Sequence, residues 1–158
     1  MLKVMTVDDE ADILYITRTM LEREGYKVDE ASSGEECLKK IKDKRPDVIL
    51  LDVKLPGIDG WEVAKKIKED EETRSIPIVM FTAKSAQEDI DTSFNYAGAE
   101  WHLPRPFKRE TLIDILKIVD EGPQDIMKKI EKVVETEKRR KELLKMMNPK
   151  IMKYKYEF

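Results

Sequence analysis

Three aspartates follow short apolar runs in this sequence: Asp8 and Asp9 after residues 2–7, and Asp52 after residues 48–51. A carboxylate can become an acyl phosphate when a divalent cation screens its repulsion for the incoming oxyanions. Magnesium takes hard oxygen ligands and keeps several waters, so two or three carboxylates and one backbone carbonyl are enough to bind it. Asp8, Asp9 and Asp52 could supply that set. Crowded together without a cation, they would raise one another's proton affinity, which favours a metal site over three solvated loop acids. A transferred phosphoryl group also needs a hydrogen-bond donor and a positive charge nearby. Thr82 and Arg105, at the ends of two further apolar runs, could provide them.

Such distant residues need a scaffold that gathers them at one edge. Apolar stretches at 2–7, 26–31, 47–51, 76–81 and about 100–103 have strand length and composition. Between and after them, helical periodicity predicts helices. The first carries Ile13, Ile16, Met20 and Leu21 and stops at Gly25; the others span 34–44, 61–69, 86–97 and 108–120. Five strand and helix pairs predict a doubly wound α/β sheet. In that class of sheet, functional groups collect beyond the carboxyl ends of the strands, where the strand order reverses. All five candidate residues fall at such ends.

Composition bounds the rest. The chain has 158 residues, 41% hydrophobic and 40% charged, which suits one water-exposed domain with an appendage. No apolar stretch approaches the length of a membrane span, and Met1 leads straight into a strand with no export-type segment, so a cytoplasmic location is expected. The single cysteine, Cys37, excludes an internal disulfide and reads as a small buried hydrophobe on a helix face. Residues 1–122 hold 19 Lys and Arg against 27 Asp and Glu, whereas residues 123–158 hold 11 against 6. Nucleic acid is therefore not an expected partner of the acidic body.

A boundary is expected at Gly122 and Pro123, giving a domain at 1–121 and a basic extension at 122–158. In the extension, Ile126, Ile130, Val133 and Val134 form a helical stripe that Glu137 and Arg140 interrupt and Leu144 and Met147 resume, read as one long helix. The stripe could pack on the domain, pair with a second copy as a homodimer, or dock a separate partner. From Met152 to Phe158 apolar and charged residues alternate, as in a strand or a frayed terminus.

Taken in order, four motifs closely resemble receiver domains of response regulators over about residues 2–121. They are Asp8-Asp9, the stretch Asp52-Val53-Lys54-Leu55-Pro56-Gly57-Ile58-Asp59-Gly60, Thr82-Ala83, and Arg105-Pro106-Phe107. The resemblance implies a flavodoxin-like five-stranded parallel sheet of order 2-1-3-4-5. It further implies that Asp52 takes a phosphoryl group from a sensor histidine kinase with Mg2+ held by Asp8, Asp9, Asp52 and the Lys54 carbonyl. Thr82, beside Ala83, would bond the phosphoryl group and switch a surface read by a downstream protein. The bond before Pro106 would be cis.

The pattern departs from the family in two places. Arg105 stands where a lysine is usual, and His102 where a switching Tyr or Phe is usual; His102 is read as a half-buried structural or switch residue. Lys54 and Lys84 occupy positions bordering the path of the attacking water, and would tune phosphoryl lifetime. The resemblance implies a signalling phosphoacceptor and not an enzyme, its own phosphorylation and dephosphorylation apart. Two alternatives are a pseudo-receiver that only binds, and an aspartyl phosphohydrolase. The second would need another Asp where Lys54 stands.

Overall fold

The computed structural model describes residues 2–121 and 126–151. Five strands, β1 (Lys3–Val7), β2 (Lys27–Ala31), β3 (Val48–Leu51), β4 (Ile78–Thr82) and β5 (Trp101–Pro104), form one parallel sheet of order β2-β1-β3-β4-β5. The doubly wound expectation holds. Every residue of β3 and β4 is buried, because helices cover both faces. Side-chain alternation divides the core accordingly. Val4, Val48, Leu50, Val79, Phe81, Trp101 and Leu103 point to one face. Met5, Val7, Ile49, Leu51, Ile78 and Met80 point to the other.

The helices α1 (Ala11–Arg23), α2 (Gly34–Lys44) and α3 (Gly60–Glu69) fall where the periodicity places them. Ser33 caps α2 by accepting from the Glu36 amide, and Asp59 caps α3 by accepting from Glu62. Cys37 is fully buried, and that burial pushes its thiol up to about 12. Register then fixes the site. Val7 pairs with Leu51, and the Asp52 amide donates to the Val7 carbonyl at 3.1 Å, so Asp8 and Asp52 leave the sheet side by side. Thr82 pairs with Pro104, and the Arg105 amide donates to Thr82 at 2.8 Å.

Two helical expectations need correction. The segment expected as one helix at 86–97 is a short α4 (Gln87–Asp91) that widens into a π-helical turn at Thr92–Tyr96. There the Ala97 amide reaches back to Thr92 and the Ala99 amide to Ser93, both at 2.9 Å. Gly98, at φ +72, ends the turn. The second correction concerns the extension. After α5 (Arg109–Asp120), the expected single helix is two: α6 (Ile126–Val133) and α7 (Glu137–Met146). Thr136 is in extended conformation and caps α7 through the Arg139 amide, while the Arg140 guanidinium turns back to take the carbonyls of Val134 and Glu131. A hydroxyl cap and a charge on the last carbonyls are what a helix break requires.

The extension packs on the chain's own sheet. Ile126, Ile130, Val134, Leu143 and Met147 share the core cluster of α5 and β5. Arg139 reaches the buried Asp114 of α5 at 2.5 Å. Met147 forms an antiparallel bridge with Trp101 at the edge of β5. The alternating segment 152–158 and the boundary at Gly122 and Pro123 lie outside the described residues. Among the described residues no helix is long and apolar enough to cross a membrane.

Candidate functional site

Four strands deliver the site. Asp8 follows β1, Asp52 follows β3, Thr82 ends β4 and Arg105 follows β5. Asp8 and Asp52 are nearly inaccessible, at 2% and 7% exposure, and Thr82 is buried. Asp9 and Glu10 are exposed at the rim. Gly60 allows α3 to begin this close: a side-chain carbon there would meet the Asp52 carbonyl oxygen at 1.9 Å. The residue has to be glycine for the third strand and third helix to keep this spacing.

Electrostatics organise the interior. The Arg105 Nη2 donates to Asp8 Oδ2 at 2.6 Å and to the Phe81 carbonyl at 2.9 Å, and lies 3.4 Å from Asp52 Oδ2. The fork is used at one end only. Its Nε is buried with no partner among the described residues, and the guanidinium sits 4.6 Å from the Phe81 ring centroid. The bond between Arg105 and Pro106 is cis.

Burial raises the Asp52 carboxyl above its ordinary range. Arg105 opposes that, Asp8 adds to it, and bonds from Thr82 and the Val53 amide oppose it. Burial and the neighbouring negative charge win.

A tight group of carboxylates stands ready for a cation. Oxygens of Asp8, Asp9 and Glu10 lie within 4.8 Å of one another. Hard oxygens at this spacing, with a second buried acid beside them, fit magnesium better than any softer metal. Glu10 is the member that sequence reasoning missed, although it is simply the next residue of the acidic run. Lys54 lies in the exposed turn after Val53.

His102 is not half-buried as expected but 1% exposed. Its Nε2 is 2.9 Å from the Lys84 carbonyl, which can only accept, so Nε2 carries the proton. Nδ1 then accepts from the Ser93 hydroxyl at 2.8 Å, and Ser93 accepts from the Trp61 indole N–H at 3.0 Å. Burial lowers the affinity of His102 for a second proton. The Lys84 ammonium lies 5.9 Å from the Trp61 ring centroid, while its amide donates to the Thr82 hydroxyl at 3.2 Å. The Lys84 backbone therefore links Thr82 to His102. Neither Ser93 nor Trp61 stood out in the sequence, because their roles exist only across three elements.

A family model described as the response regulator receiver domain matches residues 4–117. The chain is 31% identical over 122 residues to protein PilH of Pseudomonas aeruginosa, covering 77% of this chain and 100% of PilH. It is 38% identical over 123 residues to the transcriptional regulatory protein ResD of Bacillus subtilis, covering 77% of this chain and 50% of ResD. The chain thus spans about half the length of the curated transcriptional regulators it matches. Chemotaxis protein CheY4 of Vibrio cholerae superposes with a TM-score of 0.70 at 34% identity, covering 75% of this chain and 98% of CheY4.

Proposed function

This chain belongs to the response regulator receiver family, and on that premise we propose that Asp52 is its phosphoacceptor, charged by a sensor histidine kinase in the cytoplasm. The observation that carries this reading is the convergence of Asp8, Asp52, Thr82 and Arg105 from four strand ends. In the transfer, an Asp52 carboxylate oxygen forms a bond to phosphorus as the bond to the donor's imidazole nitrogen breaks, and that imidazole regains a proton from solvent. Magnesium, held by Asp8, Asp9, Asp52 and the Lys54 carbonyl with Glu10 at the rim, would neutralise the crowded oxyanions. Thr82 donates its hydroxyl to the phosphoryl group. Arg105 supplies the standing positive charge.

The basic chemistry is that of a signalling domain covering residues 1–121, read by a downstream protein. Lys54 and Lys84 bear on how long the acyl phosphate lasts. Intact-mass measurement after incubation with a small acyl phosphate and magnesium tests the assignment. One added phosphoryl group on the wild type and none on Asp52→Asn is the expected result; no adduct on either would overturn it.

A further inference from the structure

The extension ends in a contact that shares its backbone with the site. Asn148 is 4% exposed and is used on every side. Its amide donates to the Glu100 carbonyl at 2.8 Å, and its side-chain Nδ2 donates to Ala99 at 2.8 Å and Phe94 at 3.4 Å. Its Oδ1 accepts from the Lys150 amide at 3.0 Å. The carbonyls that Asn148 takes belong to the π-helical turn and the loop after it. That turn also carries Ser93, the hydroxyl partner of His102, and Phe94, whose ring stands edge-on to the imidazole at 6.4 Å. A continuous line of bonds therefore runs from Asp52 through Thr82, Lys84, His102 and Ser93 to the segment that holds Asn148.

The two parts of the extension are held unequally. Helix α6 buries Ile126 and Ile130 in the core, whereas α7 buries only Leu143 before Met147 and Asn148 close on the sheet edge. A surface groove of about 520 Å³ runs between the π-helical turn and the end of α7, lined in part by Ile90, Phe94, Leu144 and Met147. The bridge to β5 is one residue pair. The start of α7 is pinned, by Arg139 on Asp114 and by Arg140 on the last carbonyls of α6, so movement at the latch falls to the Met147 end.

We propose that Met147 and Asn148 form a latch on the edge of β5, released when Asp52 carries a phosphoryl group and signalled to through His102. This deepens the phosphoacceptor reading and rests on it. New phosphoryl oxygens recruit the Thr82 hydroxyl, which the Lys84 amide holds now. Lys84 follows, its carbonyl leaves His102 Nε2, and the imidazole must turn to find another acceptor. Turning breaks the bond to Ser93 and shifts the carbonyls that Asn148 uses. Coupling of this kind is reciprocal: an opened latch favours the phosphorylated state.

Amide hydrogen exchange on the full chain, with and without a small acyl phosphate and magnesium, tests this alongside intact mass. Exchange at Asn148, and at Trp101 opposite Met147, should rise about tenfold on phosphorylation, within the usual range of coupling between sites. Asn148→Asp, which removes both side-chain donors, should show the rise without phosphodonor and reach a higher phosphorylated fraction at a fixed phosphodonor concentration. His102→Phe should accept the phosphoryl group yet lose the rise. A full adduct with unchanged exchange at Asn148 overturns the latch alone. No adduct at Asp52 overturns the phosphoacceptor reading and the latch with it.

Discussion

The Nη2 of Arg105 stands 2.6 Å from Asp8 and 3.4 Å from Asp52, so one guanidinium nitrogen bridges the two buried acids of the site. A cation arriving there meets a charge already in place. Substituting Arg105 with Ala leaves Asp8 buried and unpaired, which costs roughly 2–4 kcal/mol of stability when no other cation replaces it. The same change removes repulsion from the metal site. Arg105→Ala is expected to melt well below wild type in chelator, to recover with magnesium, and to bind magnesium about tenfold more tightly, which is ~1.4 kcal/mol. Thermal melts across a magnesium titration check this; equal magnesium responses in both proteins would count against it.

Asp52 gives a pH-dependent signature. Its carboxyl is raised in the folded protein, so between the ordinary value of 3.8 and the raised one the folded state holds a proton that the unfolded state has lost. Its contribution to stability is full below 3.8 and disappears as pH rises through the folded value. At neutral pH the bare carboxylate is therefore a burden. In metal-free buffer Asp52→Asn should melt above wild type at pH 7, and the gap should close on acidification toward pH 4.

For His102 the shift runs the other way. Burial outweighs the Lys84 carbonyl and Asp89, both of which favour the charged ring. The unfolded chain takes up a proton near 6.5 that the folded one refuses, so this residue costs stability as pH falls through that value. Nitrogen-detected NMR should find one neutral tautomer at pH 7, protonated at Nε2, and a ring that takes its second proton at lower pH than a free imidazole. Titration at or above the ordinary value would sink the assignment.

The extension's contribution is measurable by truncating one side chain. Ile130 is 1% exposed within the cluster shared by α5 and β5. Ile130→Ala should cost about 3 kcal/mol, read as a lowered denaturant midpoint. The exposed pair Lys132 and Glu121 should contribute much less, ~0.5 kcal/mol in a double-mutant cycle. Similar small losses for both would mean that α6 is not part of the core.

The five strands and the places of Asp8, Asp52, Thr82 and Arg105 were legible because short apolar runs that end in polar residues are local patterns. What escaped was set across elements. The π-helical turn is tied to a hydroxyl shared by His102 and Trp61, residues 9 and 32 positions away. The break between α6 and α7 had a local signal, Thr136 followed by Glu137, but a resumed apolar stripe disguised it. Periodicity also left open what the stripe packs on. In the structure Ile126, Ile130, Val134 and Met147 of that stripe pack on the chain's own sheet.

The bridge between Met147 and Trp101 gives the sheet a polarity of access. An open parallel sheet has two edges, and both can template another chain. Here the β5 edge is stoppered, and the β2 edge carries Lys27, Asp29 and Glu30, with Glu30 already paired to Arg18. Repeated edge-to-edge growth needs two free edges per molecule, so with the stopper seated, strand addition ends after a single partner.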